Sequence, residues 1–124
     1  MTFFNVLNRI YIYMTREKSI YELQAEVCKI LASPKRIEII SALREGEKTV
    51  TEIVEILGIP KPNVSQHLAV MRLKGILKSR REGVNIFYCI ANPKVIQACS
   101  LMKEVLSDLL NERGKMASLI TRSR

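Results

Sequence analysis

The chain has 124 residues, with 20 lysines and arginines against 12 aspartates and glutamates, a formal net charge of +8 and a pI near 9.7. This length fits one small domain, and small domains often gain core by pairing with a copy. The excess positive charge predicts a polyanionic partner, either nucleic acid or an anionic membrane surface. The three cysteines, at positions 28, 89 and 99, fit neither a disulfide framework nor a paired CxxC zinc site, which favours a reducing cytoplasm.

The opening stretch, residues 1–13, is apolar but predicts neither a membrane anchor nor a secretion signal. It carries Asn5 and Arg9, is shorter than a membrane span, and lacks a basic start with a small-residue cleavage site. Its composition changes at Met14, where more ordinary helical sequence begins. Two interpretations stay open, a misassigned start or an extra helix in a dimer interface, and residues 1–19 are assigned to an N-terminal extension.

Two helices are predicted next. Apolar residues recur at helical spacing from Ile20 to Leu31, and Ser33-Pro34 ends this helix and starts the second. The second helix is expected to run to Gly46. Its apolar positions at helical spacing are Ile37, Ile40 and Leu43.

The third and fourth helices are joined by a short turn. Thr49 or Thr51 can cap the third helix, which Gly58 ends, and Pro62 suits the first turn of the fourth, which Gly75 closes. The inward positions predicted by helical spacing are Val50, Ile53, Val54 and Leu57 on the third helix, and Val64, Leu68 and Met71 on the fourth.

A hairpin and a last helix follow. The stretch "ILKSRREGVNIFYCI" has two β-prone runs with Gly83 at the turn between them, and Pro93 then opens a helix. Its apolar stripe is long enough to pair with another helix, and comprises Val95, Ala98, Cys99, Met102, Val105, Leu106 and Leu109. Residues 20–110 are predicted to form one domain, followed by a basic tail at residues 111–124.

Polar side chains crowd the first turns of the fourth helix. With the apolar stripe turned inward, the 100° step per residue turns Pro62, Gln66 and Ala69 outward, with Asn63 and Ser65 beside them. Glutamine pairs with adenine, alanine meets a thymine methyl, and serine, asparagine and a helix N-terminus bind phosphate. Lys61 and Arg72 add charge at the groove edges. The competing interpretation is a surface helix that these side chains merely solvate.

Positive charge concentrates in the same region. Residues 61–82 hold six lysines and arginines against Glu82 alone. Lys78, Arg80 and Arg81 precede the hairpin turn, as expected of a basic wing that reaches the minor groove or the DNA backbone. The alternative is a basic hairpin with no DNA contact.

Four stretches, "LASPKRIEII", "VSQHL", "LKGILKSRREG" and "FYCIANP", make residues 21–110 resemble the winged helix-turn-helix of the ArsR/SmtB family. That family comprises small dimeric repressors that release DNA on sensing a metal ion or a reactive sulfur or redox signal. The resemblance implies a mainly α fold with a small β-hairpin, dimerising through its first and last helices. It puts Lys61, Asn63, Ser65, Gln66 and His67 on the recognition helix, and Arg80 and Arg81 on the wing.

His67 lies at the border of the buried stripe. A packed or hydrogen-bonded histidine is therefore favoured over a contact with a base or a phosphate, although the side chain is kept among the DNA-binding residues. No metal-ligand role is supported for it.

The effector sites known in the resembled family are missing from this sequence. Positions that supply metal ligands there correspond to Thr49 and Thr51 in one site and to Asn92, Lys94, Val105 and Asp108 in another. The dithiol of persulfide sensors corresponds to Ser41 and Ser107. No cofactor or metal is therefore predicted. Cys28 and Cys99 remain as thiol-sensor candidates for a soft metal or an oxidant, against the simpler interpretation of cysteines as packing groups.

The sequence thus predicts a sequence-specific transcriptional regulator: a cytoplasmic homodimeric repressor that binds an imperfect inverted repeat in double-stranded DNA and leaves it on a metal, redox or reactive-sulfur signal. Two alternatives stay open, a winged-helix module for protein contacts and a DNA-binding protein without an effector. An enzyme is not predicted, because one histidine and scattered cysteines offer no nucleophile, base and orienting group. No membrane partner is predicted.

Overall fold

Within residues 18–114 the chain forms five helices and a three-stranded sheet. The computed structural model describes residues 6–9, 18–114 and 120, so most of the predicted N-terminal extension and of the basic tail lies outside the described residues. The helices are α1 (Ile20–Leu31), α2 (Pro34–Ala42), α3 (Val50–Leu57), α4 (Lys61–Leu73) and α5 (Lys94–Glu112). The strands are β1 (Lys48–Thr49), β2 (Leu77–Glu82) and β3 (Asn85–Ile90).

Side-chain caps set the starts of the first three helices. The Ser19 hydroxyl accepts from the N–H of Glu22 at 3.1 Å, which satisfies one of the free donors at the start of α1. α3 begins with a capping box: the Thr49 hydroxyl accepts from the Glu52 N–H at 3.2 Å, and the Glu52 carboxylate accepts from the Thr49 N–H at 3.0 Å. Of the two threonines that could cap α3, Thr49 does so.

One predicted boundary is wrong. α2 ends at Ala42, with Leu43 as its C-cap, and does not reach Gly46. The N–H of Arg44 turns to the carbonyl of Ser41 at 3.2 Å, so the helix tightens and stops before the glycine. The same helix buries Ile39 completely and leaves Ile37 46% exposed, although Ile37 is the residue that its apolar spacing favours.

The sheet has one strand more than the predicted hairpin. β2 and β3 pair antiparallel around Gly83, whose φ of 63° lies in the left-handed region that a tight turn requires. β1 adds to the other edge of β3 through Lys48↔Tyr88 and Thr49↔Phe87, which gives the order β1-β3-β2. β1 has only two residues, too few to show the alternating pattern by which a strand is predicted. It forms because β3 offers a free edge to pair with.

The core lies where α2, α3 and α4 meet the start of β2. Its side chains are buried to 8% exposure or less and comprise Ile30, Ile39, Ile40, Leu43, Ile53, Val64, Leu68, Met71, Ile76 and Leu77. Each large aliphatic side chain buried in this way stabilises the fold by about 1.5–3 kcal/mol. The inward residues predicted for α4 are thus confirmed.

The two outer helices leave apolar surface uncovered. None of the 19 residues of α5 is buried, and α1 buries Ile30 alone. The large exposed apolar side chains of these helices are Ile20, Tyr21, Leu23, Val27, Leu101, Met102, Val105, Leu106 and Leu109. None of the described helices is long and apolar enough to cross a membrane.

We expect Thr49→Ala to lower the free energy of unfolding by about 1 kcal/mol, because the substitution removes the hydroxyl that caps α3. Thr51→Ala is the matched control, since Thr51 is exposed inside the same first turn. Thermal unfolding of both variants measures the difference. Equal loss of stability in the two would contradict the assignment of the cap.

Candidate nucleic-acid interface

α4 presents a polar face to solvent. Its buried stripe is completely inaccessible, with Val64, Leu68 and Met71 each at 0% exposure. The opposite face is exposed and comprises Lys61, Pro62, Asn63, Ser65, Gln66 and Ala69. The predicted division of this helix into an inward apolar side and an outward polar side is therefore confirmed.

The turn before α4 gives the helix its position. Gly58 ends α3 in the left-handed conformation at φ 66°, and Pro60 occupies the N-cap of α4. No side chain caps this helix, and Pro62 has no N–H to satisfy. The positive end of the α4 dipole is thus left without the polar side chain that closes α1, α2 and α3.

The hairpin lies beside α4 and carries cations on both of its faces. β2 pairs with β3 without a bulge, so side chains alternate: Ser79 and Arg81 share one face, Lys78 and Arg80 the other. Arg72 of α4 donates from Nη1 to the Ser79 hydroxyl at 3.2 Å. Because this bond ties Ser79 to α4, Arg81 projects from the face of β2 that meets the helix.

Arg80 is held by other parts of the protein. Its Nε donates to Glu47 Oε2 at 2.9 Å, its Nη2 donates to the other oxygen of Glu47, and its Nη1 donates to Glu82 at 2.6 Å. Its guanidinium also lies 4.4 Å from the centre of the Phe87 ring, the residue opposite it on β3. These bonds raise the pKa of Arg80, and the bond from Arg80 lowers the pKa of Glu47.

Two cations of the wing keep an uncompensated charge. Among residues 18–114, neither Lys78 nor Arg81 forms an ion pair, and both side chains are exposed. Lys61 at the start of α4 is likewise exposed and has no ion pair within the same residues. The surface formed by the outward side of α4 and the wing is therefore positive even though Arg80 is neutralised locally.

His67 is hydrogen-bonded within the protein. Its Nδ1 accepts from Arg36 Nε at 3.2 Å, and its side chain is half-buried between the inward and outward faces of α4. Burial lowers the pKa of His67, and the positive charge of Arg36 lowers it further. The favoured interpretation of a bonded histidine is confirmed, and His67 stands apart from the outward row of Pro62, Gln66 and Ala69.

The three cysteines differ in exposure. Cys28 is exposed and is not a packing group within this chain, whereas Cys89 and Cys99 are half-buried. Burial raises the pKa of the Cys99 thiol, which reduces its reactive thiolate fraction at neutral pH. Throughout residues 6–9, 18–114 and 120, no three histidine, cysteine or acidic side chains lie close enough to hold a metal ion.

Three residues that contact the predicted site residues were not predicted from the sequence. Glu47 and Phe87 contact Arg80, and Arg36 donates a hydrogen bond to His67. Arg36 lies 31 positions from His67, and Glu47 lies 33 positions from Arg80. Pairs so far apart leave no periodic signal in a single sequence, so only the packed structure brings them together.

The chain resembles known proteins over the region that carries this surface. The family model described as "Bacterial regulatory protein, arsR family" matches residues 33–79, from the N-cap of α2 into β2. The HTH-type transcriptional regulator Rv0081 of Mycobacterium tuberculosis is 36% identical over 95 residues, which cover 76% of this chain and 83% of that protein. The transcriptional repressor PagR of Bacillus anthracis is 41% identical over 85 residues, which cover 68% of this chain and 85% of that protein.

Solved structures give the same fold. The crystal structure of Rv0081 has a TM-score of 0.70 at 35% identity, covering 77% of this chain and 97% of that one. A solution structure from Mycobacterium bovis is described as a homodimeric winged helix-turn-helix DNA-binding domain. It has a TM-score of 0.65 at 29% identity and covers 72% of this chain and 82% of that one.

Proposed function

The chain belongs to the ArsR family of bacterial regulatory proteins, and from that premise we propose that it is a homodimeric repressor that reads a DNA operator with α4 and the wing. The observation that supports this most is the uncapped α4, with its exposed polar face beside two uncompensated cations of the hairpin. A regulator of this kind acts where the chromosome is, so we place it in the cytoplasm.

In the proposed complex, some side chains of α4 contact the DNA bases, while others and the β2–β3 hairpin contact the DNA backbone. Gln66 and Ala69 face the base edges, where glutamine can bond to adenine N6 and N7 and the alanine methyl can meet thymine. Lys61, Asn63 and Ser65 lie nearer the start of α4 and bind phosphate oxygens with the help of the helix dipole. Arg81 and Lys78 of the wing contact the backbone or the adjacent minor groove.

The proposed dimer uses the uncovered apolar faces of α1 and α5. A 19-residue helix without one buried residue is costly to leave in water, and a second copy supplies a face of the same length and character. The related M. bovis domain is described as homodimeric. Two copies related by a two-fold axis read an inverted repeat whose half-sites lie about 34 Å apart, or a multiple of that distance.

The proposed release signal acts on two cysteines, one on each of the helices that are proposed to pair. Cys28 and Cys99 lie on the two helices that are proposed to pair, so an oxidant or a soft metal ion bound there would alter the spacing of the two α4 helices. The raised pKa of Cys99 makes this thiol slow to react, which weighs against a fast sensor.

Selection of bound duplexes from a random DNA library tests the proposed function. We expect enrichment of an imperfect inverted repeat that the protein binds far more tightly than random duplex, with specific and non-specific affinities separated by about 10³-fold or more. If no sequence is enriched at low salt, the alternative of a winged helix used for protein contacts replaces the proposal.

We expect Gln66→Ala to weaken binding to the selected repeat by about 1–3 kcal/mol and to relax the preference at one position in each half-site. Gln97→Ala is the matched control, because Gln97 is an exposed glutamine on α5, away from α4. Fluorescence anisotropy with the repeat and with single-base variants measures both effects. An unchanged base preference in Gln66→Ala would contradict the proposed reading.

Arg81→Ala should weaken binding to specific and random duplexes alike, and should lower the slope of log affinity against log salt by about 1. Lys103→Ala makes the same change in net charge on exposed α5 and should leave the slope unchanged. Arg80→Ala should change the slope less than Arg81→Ala, because Glu47 and Glu82 already hold the Arg80 charge. Equal slopes for Arg81→Ala and Lys103→Ala would refute the assignment of the wing.

Leu106→Glu should convert the dimer into a monomer, because it places a charge in the centre of the exposed stripe of α5. Gln97→Glu is its control, since nine residues at 100° each put Gln97 on the opposite side of the same helix. Light scattering should give a mass near 14.2 kDa for Leu106→Glu and twice that for the control. A dimer that survives Leu106→Glu would show that α5 is not the interface.

A further inference from the structure

We propose that Arg36 is a positioning residue for α4, which it ties to the end of α1, and that this tie holds only while His67 is neutral. The inference rests on the proposed DNA-binding function, because its readout is the affinity for the selected repeat. It assigns His67 an indirect role in place of a DNA contact.

The side chain of Arg36 on α2 bonds to both α1 and α4. Its Nη1 donates to the carbonyl of Ile30 at 3.1 Å, and its Nε donates to His67 Nδ1 at 3.2 Å. The backbone N–H of Arg36 is itself held by the Ser33 hydroxyl at 3.4 Å, which fixes the point from which the side chain extends. One planar guanidinium thus joins α1, α2 and α4.

The carbonyl of Ile30, one of the two partners of Arg36, lacks its ordinary helical donor. A helical carbonyl bonds to the N–H four residues later, and the residue four after Ile30 is Pro34, which has no N–H. The Ile30 carbonyl accepts from the Arg36 side chain in place of that N–H. Lysine at position 36 would keep the charge but would lose the forked geometry that lets two nitrogens serve two acceptors.

His67 lies on α4 between its exposed and its buried side. Gln66 before it is exposed, and Leu68 after it is completely buried. The buried stripe sets which side of α4 points inward, and a bond at this position further restrains small rotations of α4 and its distance from the end of α1, the helix proposed to pair across the dimer. Loss of the bond would let Gln66 shift, and shifts of about 1 Å are enough to weaken a hydrogen-bonded contact.

Protonation of His67 breaks this bond. The neutral ring accepts at Nδ1, but the imidazolium carries a proton on both nitrogens and turns the acceptor into a donor that faces a guanidinium. The cleft beside Arg36 is lined by Lys29 and Glu26 of α1 and by Lys74 at the C-cap of α4, so its cations outnumber its carboxylate. The one carboxylate of this set, Glu26, is already paired with Lys18, whereas the guanidinium of Arg36 directly opposes a positive charge on the ring.

The sign of the pH effect separates the positioning role from a direct contact. The pKa of His67 is below its ordinary value of 6.5, so the tie is fully present above pH 6.5 and is lost as the pH falls through the folded pKa. If His67 touched phosphate, protonation would add a positive charge and strengthen binding. If it holds Arg36, protonation weakens specific binding. His67 is the only histidine of the chain, and the carboxylates ordinarily titrate at lower pH.

The experiment measures the affinity of the full chain for the selected repeat between pH 5 and 7.5 at constant ionic strength. For the wild type we expect a loss of about tenfold across the transition, the size of one charge-assisted hydrogen bond. His67→Gln should show a flat profile, because a glutamine oxygen accepts from Arg36 but does not titrate in this range. Random duplex, measured in parallel, should bind no more weakly at low pH.

Two substitutions of Arg36 test the tie itself. Arg36→Gln should lose about tenfold in affinity for the repeat at pH 7.5 and should lose the pH dependence. Arg36→Lys should resemble Arg36→Gln, since the fork and not the charge is required. If these variants fail to fold, as judged by thermal unfolding, the comparison of wild type with His67→Gln decides.

The possible results are distinguishable. Wild-type affinity for the repeat that rises or stays constant as the pH falls overturns the proposal, as does a His67→Gln profile that matches the wild type. Wild-type binding by Arg36→Lys overturns the requirement for the fork. Failure to select any repeat would instead remove the proposed DNA-binding function, and it would be seen before any variant is made.

Discussion

The buried stripe of α4 is the constraint on which the rest of the surface depends. Val64, Leu68 and Met71 are completely inaccessible and pack into the same core as Ile39 and Ile53. Rotating α4 by one residue, or 100°, would bring polar side chains into this core, at about 1–3 kcal/mol for each group left without a partner. The rotation of the helix is therefore set by its apolar side, and the orientation of Gln66 and its neighbours follows.

Local pairing decides which cations of this basic chain are available to a partner. Arg80 and Arg81 are adjacent in sequence, yet alternation along β2 turns them to opposite faces of the sheet. Arg80 meets Glu47, Glu82 and the Phe87 ring, while Arg81 has no ion pair among residues 18–114. Arg36 is likewise engaged inside the protein, where it connects the outer helix α1 to α4. A net charge of +8 thus predicts that the partner is negatively charged, but it does not predict which residues contact that partner.

Local signals in the sequence determined where most of the helices start and which sides of α4 and α5 are apolar. Ser33-Pro34 is a helix start that needs no tertiary contact, because serine caps the free N–H groups and proline tolerates the first turn. The glycines that end α3 and turn the hairpin adopt the left-handed conformation that their surroundings require. Since a helix has one period and a strand another, the apolar spacing also predicted the inward side of α4 and the uncovered stripe of α5.

Contacts between distant positions were decided only by the tertiary structure. β1 is two residues long and depends on the free edge of β3, the end of α2 depends on a turn that starts before Gly46, and Ile39 takes the buried place expected of Ile37. The partners of Arg80 and His67 lie more than 30 positions away. The physical reason is common to all of these features. A hydrogen bond or a packed contact between remote segments depends on their distance and angle after folding, and the period of a sequence carries information about only one segment at a time.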